Sequence, residues 1–129
     1  MAVQFLSEPW AQAVTEAING SEEFRKAASG KRLKLQQVVT DAPQRGEVRY
    51  YLAIDNGSAQ VALGEISDPD ATLTQHYDTA VAISKQELSP TAAFMRGKVK
   101  ISGAMTKLLA LQPALAAVPS AVRNVDIAY

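Results

Sequence analysis

Leu88-Ser89-Pro90-Thr91-Ala92-Ala93-Phe94-Met95-Arg96-Gly97-Lys98-Val99-Lys100-Ile101-Ser102-Gly103-Ala104-Met105 changes its backbone period twice. Ser89 is a good N-cap and Pro90 suits a first helical position, so a short helix is expected through Ala92, Ala93, Phe94 and Met95. Gly97 ends it. From Lys98 to Ser102 the chain alternates, with Val99 and Ile101 inward and Lys98 and Lys100 outward, as in a strand with one buried face. Gly103 then turns into a helix over 104–112 that carries Met105, Leu108, Leu109 and Leu111. Helix, strand and helix in quick succession point to a mixed layer of helices and sheet.

Reading outward supports that layout. Downstream, Pro113 breaks or restarts the helix, Leu115 and Val118 extend its apolar run, and 119–129 reads as a tail. Upstream, Asp78 is a candidate N-cap for a helix with Ala80, Val81, Ala82 and Ile83, and a strand is expected over 71–76 after the turn Ser67-Asp68-Pro69-Asp70. Ala59, Val61 and Leu63 belong to an earlier strand. It is joined by Asn56-Gly57, a two-residue hairpin signal, to one with Val48, Tyr50, Leu52 and Ile54 on one face. Residues 41–46 contain Pro43 and Gly46 and read as a loop. Before it, Leu33, Leu35 and Val39 share one face of a strand, with Lys34 and Gln36 on the other. Two helices come first. Ser7 caps one over 7–19 whose stripe is Trp10, Ala13, Val14, Ala17 and Ile18; Ser21 caps a shorter one that buries Phe24, Ala27 and Ala28. The expected class is α+β, with an antiparallel meander that has one wet face and helices on the other.

Composition narrows the function. The 129 residues contain no cysteine and one histidine, and thirteen basic side chains balance thirteen acidic ones. That excludes disulfides, thiolate metal sites and thiol nucleophiles, and the zero net charge argues against a general nucleic-acid binder. The start at Met1 to Leu6 does not read as a signal peptide, and no stretch approaches the about 18 apolar residues of a membrane span. Charge is uneven: residues 41–78 hold seven acids against two bases, while 79–129 hold six bases against two acids. Arg96, Lys98, Lys100 and Lys107 fall close together without an acid among them, either as a solvated sheet face or as a patch for an anionic membrane.

Catalytic patterns are thin. His76 sits in Thr74-Gln75-His76-Tyr77, outside any nucleophile-elbow pattern. The glycines fall at turns and helix ends rather than in a phosphate-binding loop. Asp68, Asp70 and Asp78 flank a turn and a helix start without calcium-loop spacing, so no metal or cofactor is expected. A small isomerase-like enzyme would need a buried carboxylate, such as Asp55, Glu65 or Asp78, beside Tyr50 or Tyr77. An interaction domain of a lipid-metabolising complex would instead show a large exposed apolar patch.

The stretch over 88–105 resembles the signature region of the sterol carrier protein 2 (SCP-2) domain family, as do Asp70-Ala71-Thr72-Leu73-Thr74 and Tyr77-Asp78-Thr79. The family pattern is a short helix ending in Ala-Phe-Phe or Ala-Phe-Met, then Gly-Lys-hydrophobic-Lys-hydrophobic-x-Gly, then a leucine-rich helix opened by Met. The order of elements matches from about residue 7 to 118, and one SCP-2-like domain is expected over 1–129. Ala104 departs from the pattern, which commonly has Asp or Asn there as N-cap of the last helix. The resemblance implies a sheet of about five mostly antiparallel strands, with helices on one face enclosing an apolar tunnel. It implies a non-enzymatic carrier for fatty acid, fatty acyl-coenzyme A, sterol, phospholipid or a similar lipid. Val81, Phe94, Met95, Met105, Leu108, Leu109 and Leu115 are the expected ligand-binding residues. Arg96, Lys98, Lys100 and Lys107 are the candidates for transient membrane contact. The end at Tyr129 lacks a Ser-Lys-Leu type address, so the chain looks like a free-standing prokaryotic version, cytoplasmic, and a monomer or weak dimer.

Overall fold

A computed structural model describes residues 2–129. Two helices, α1 (Glu8–Asn19) and α2 (Glu22–Ala28), follow a two-residue strand, β1 (Val3–Gln4). Then come β2 (Arg32–Ala42), β3 (Gly46–Asp55), β4 (Ser58–Leu63) and β5 (Ala71–His76). Helices α3 (Tyr77–Ser84) and α4 (Pro90–Met95) precede β6 (Val99–Gly103); α5 (Met105–Ala110), α6 (Gln112–Ala121) and β7 (Ile127–Ala128) complete the chain. The main sheet has the order β4-β3-β2-β5-β6. Three neighbours pair antiparallel and β2 with β5 parallel, so the α+β class and the mostly antiparallel sheet are as expected.

The serine caps act where the sequence puts them. Ser7, Ser21 and Ser89 accept from the amides of Trp10, Phe24 and Ala92 at 3.3, 3.2 and 3.0 Å. At α3 the cap is not Asp78. His76 Nδ1 accepts from the Asp78 amide, and Asp78 lies in the first turn, where its charge still meets the positive helix end. Ala104 precedes α5 without a side-chain cap.

Three further expectations change. Residues 41–46 are not all loop, because β2 runs to Ala42 through an irregularity after Val39, with Asp41 at a φ of 57°. Residues 119–129 are not a free tail. Helix α6 runs on past Pro119, and β7 pairs parallel with β1, joining the two ends of the chain. Gln36 is not on a wet surface but 5% exposed. The chain leaves β4 and crosses the outer face of the sheet to reach β5 beside β2. Gln36 Nε2 donates to Tyr50 O at 2.9 Å and Gly64 O at 3.1 Å, and its Oε1 accepts from the Ile66 amide at 2.9 Å. A side-chain amide supplies both donor and acceptor, so it can satisfy that crossing without a strand partner.

The crossing ends at Asp70, whose carboxylate accepts from the Lys34 amide at 2.8 Å and pairs with Lys107 at 3.0 Å. Gly103 returns against the same point. A Cβ there would lie 2.6 Å from Asp70 O and 2.8 Å from Ala71 Cα, and its φ is +104°, so both space and backbone demand glycine.

Candidate ligand site

Register assigns the faces of the sheet. Leu33, Leu35, Gln37 and Val39 of β2 lie level with Ile54, Leu52, Tyr50 and Val48 of β3. Ala71, Leu73 and Gln75 of β5 and Ile101 and Val99 of β6 continue that face, which is the one under the helices.

Its two halves differ. Over β3 and β4 it is closed: Leu33, Leu52, Ile54, Ala59 and Val61 are buried in one core with Trp10, Val14 and Ile18 of α1 and Phe24 and Ala28 of α2. Helix α1 also caps the β4 edge. Asn19 Nδ2 donates to Ala59 O at 2.9 Å and its Oδ1 accepts from the Ala59 amide at 2.8 Å, while Thr15 Oγ1 accepts from the Val61 amide at 2.9 Å. That edge therefore offers few free backbone groups.

Over β5 and β6 the layer is looser. Leu73 and Ile101 point toward the helices yet stay only half-buried, as do Val81 of α3 and Leu115, Val118 and Val122 of the C-terminal region. Polar groups interrupt this apolar face. Gln37 lies level with Tyr50, whose phenol is pushed well above its ordinary pKa by burial. Gln75 is 7% exposed, and its Nε2 donates to Gln37 Oε1 at 3.4 Å. Gln75 Oε1 is buried without a partner.

The expected ligand-binding residues divide the same way. Leu108 is buried, and Val81 and Leu115 pack on the core. Phe94, Met95, Met105 and Leu109 turn to solvent, at 45%, 80%, 37% and 64% exposure. Among the expected membrane contacts, Arg96, Lys98 and Lys100 are exposed, whereas Lys107 is held by Asp70. Sequence reasoning placed Ile101 inward but did not single out Ile101, Leu73, Gln37 or Gln75 as candidate site residues. The alternation of both strands carried the signal for the two apolar residues, but nothing marks a strand glutamine as buried. Two open depressions lie at the surface elsewhere. One of about 280 Å³ is bounded by Ser84, Lys85, Val122 and Tyr129, and the other, about 450 Å³, lies over Glu22, Arg25, Lys26 and Ser29.

The requirement for a buried carboxylate beside Tyr50 or Tyr77 is not met by the three candidates. Asp55, Glu65 and Asp78 have side chains 70%, 69% and 90% exposed, and the first two pair with Arg32 and Arg49. Trp10 packs edge-on against Tyr50 at 5.1 Å, and Phe5 lies between Trp10 and Tyr77 at 5.3 and 5.9 Å.

Comparison with known proteins agrees with this architecture. Residues 8–116 match the model of the SCP-2 sterol transfer family. A sterol carrier protein 2 of Gallus gallus is 31% identical over 74 residues, 57% of this chain. The chain covers 14% of that protein's length. The crystal structure of a sterol carrier protein 2 superposes with a TM-score of 0.80 at 28% identity, over 95% of this chain and 99% of that one. The solution structure of a conserved hypothetical protein of Thermus thermophilus, described as possibly a sterol carrier protein, also gives 0.80. It is 27% identical and covers 98% of this chain and 93% of its own.

Proposed function

The chain belongs to the SCP-2 sterol transfer family, and from that premise we propose that it binds a lipid between sheet and helices and carries it without chemical change. The observation that carries this reading is the half-open apolar face of β5 and β6. Leu73 and Ile101 point inward in a matched carrier fold and yet are not sealed by the helices above them. A ligand chain that completed this layer would gain about 0.8 kcal/mol for each CH₂ removed from water. Fatty acid, acyl-coenzyme A, sterol or phospholipid chains all satisfy that physics, and a tunnel there would form as the ligand enters between the sheet and the helices.

The exposed apolar side chains have a place in the same reading. Phe94 and Met95 precede β6, Met105 and Leu109 follow it, and Arg96, Lys98 and Lys100 lie between them in the chain. Apolar side chains that enter a bilayer beside cations that meet anionic headgroups form a transient membrane contact, worth about 1 kcal/mol per well-placed cation.

The test is direct. Protein purified without delipidation is extracted and the extract analysed by mass spectrometry, and delipidated protein is titrated with a fluorescent fatty acid. A stoichiometric lipid or saturable binding is expected. The absence of both overturns the proposal. Pelleting with anionic vesicles, lost on Met95→Ser with Leu109→Ser, tests the membrane contact.

A further inference from the structure

We propose that α5 is a gate over one end of the lipid-binding layer, and that an anionic bilayer opens it by drawing away the two lysines that hold it shut. This rests on the lipid-binding reading above and names how that site is opened.

The tethers place the helix. Lys107 of α5 pairs with Asp70, the residue before β5, at 3.0 Å. Lys31, the residue before β2, donates from its ammonium to Ala110 O, at the last residue of α5, also at 3.0 Å. Strands β6, β5 and β2 are consecutive in the sheet and α5 follows β6 directly, so the helix runs across the ends of these three strands. That is one end of the loosely covered half, beside Ala71 and Leu35, which lie level there.

Little else fixes α5. Only Leu108 of its six residues is buried. No side chain caps its start, and no acid lies in its first turn. The helical path is interrupted on both sides, by Gly103 at φ +104° before it and by Leu111 at φ −101° and ψ 8° after it. The helix can therefore turn as a unit without unwinding a longer one. The ion pair that holds it lies at the surface, with the Lys107 and Asp70 side chains 47% and 26% exposed. Such pairs are weak in water and sensitive to surrounding charge.

The exposed side of α5 carries the opposite signal. Met105 and Leu109, one helical turn apart, are 37% and 64% exposed. At an anionic bilayer these side chains enter the apolar layer, while Lys107 and Lys31 exchange a carboxylate and a carbonyl for lipid phosphates. The contact that brings the carrier to the membrane thereby releases α5 and uncovers the start of β5 and the end of β6. Away from such a surface the lysines stay with Asp70 and Ala110, and that end stays covered.

The experiment loads full-length protein with a fluorescent fatty acid and follows its transfer to vesicles of phosphatidylcholine, with or without phosphatidylserine. Faster transfer to the anionic vesicles is expected. Asp70→Asn keeps an acceptor for the Lys34 amide but loses the charge that holds Lys107. It should speed transfer to neutral vesicles about threefold, in the range of one partly exposed ion pair. Lys107→Gln should do the same, and serves if Asp70→Asn does not fold. Met105→Ser with Leu109→Ser should remove the acceleration by phosphatidylserine. Asn19→Ala, which weakens the opposite edge of the sheet, should change neither rate. Transfer to neutral vesicles that Asp70→Asn and Lys107→Gln leave unchanged overturns the gate. An equal acceleration by Asn19→Ala also overturns it, as general loosening, and so does an anionic acceleration that survives loss of Met105 and Leu109. No uptake of the fatty acid overturns the lipid-binding reading, and the gate with it.

Discussion

The two halves of the sheet are built from similar strands but covered differently. Over β3 and β4, α1 and α2 press Trp10, Val14, Ile18 and Phe24 into the strands, and Asn19 and Thr15 satisfy the edge backbone. Over β5 and β6, Leu73 and Ile101 remain half-buried, and a glutamine carbonyl lacks a partner. The contrast separates two tasks. The first half contributes the packing that holds the fold. The second leaves apolar surface incompletely covered, and under the proposed function a lipid supplies the missing contacts.

The contrast is sharpest in a pair of truncations. Phe24→Ala should destabilise by about 3–5 kcal/mol, because a fully buried ring leaves a cavity. Leu73→Ala should cost less than about 1.5 kcal/mol and weaken lipid binding instead. Urea denaturation of both variants, with a lipid titration of the second, checks this; equal losses of stability would break the comparison.

Gly103→Ala comes next, at about 3 kcal/mol, from a clash with Asp70 and a positive φ together. The expected signature is a lower denaturation midpoint with an unchanged slope, since the clash lies at one end of β6 rather than across the core.

Asn19→Ala should cost about 2 kcal/mol by stripping Ala59 of both partners. It should also raise aggregation during thermal melting, because it uncovers the β4 edge. Light scattering alongside the melt reads both effects.

The smallest effect is electrostatic. The Lys34 amide, and then Lys107, hold the Asp70 carboxyl below its usual range. Its stabilisation is therefore complete above an ordinary aspartate pKa, near 4, and is lost as pH falls through the lower folded value. Asp70→Asn should cost less than about 1 kcal/mol at neutral pH and flatten the acid limb of the stability profile. Denaturation midpoints at pH 7 and pH 3 measure it.

The candidate site was legible in part. Val99 and Ile101 could be placed inward by alternation, and Leu108, Leu115 and Val81 by helical spacing. Phe94, Met95 and Leu109 have the same apolar character but face solvent, because bulk alone does not say which side of a short helix finds a partner. Gln75 gave no signal, since a strand glutamine reads as solvent-facing until the register is known.

Local chemistry in the sequence by itself determined the order of elements from α1 to α5, three serine caps, the Asn56-Gly57 hairpin and the glycine turn at 103. Each depends on residues a few positions apart, where propensity and hydrogen-bonding groups act directly. Only the tertiary structure decided that β5 lies parallel beside β2, that Gln36 is buried under the crossing, and that β1 and β7 join the two ends of the chain. Those outcomes depend on which strand edges remain free once the first layer has formed, and distant parts of the chain decide that together.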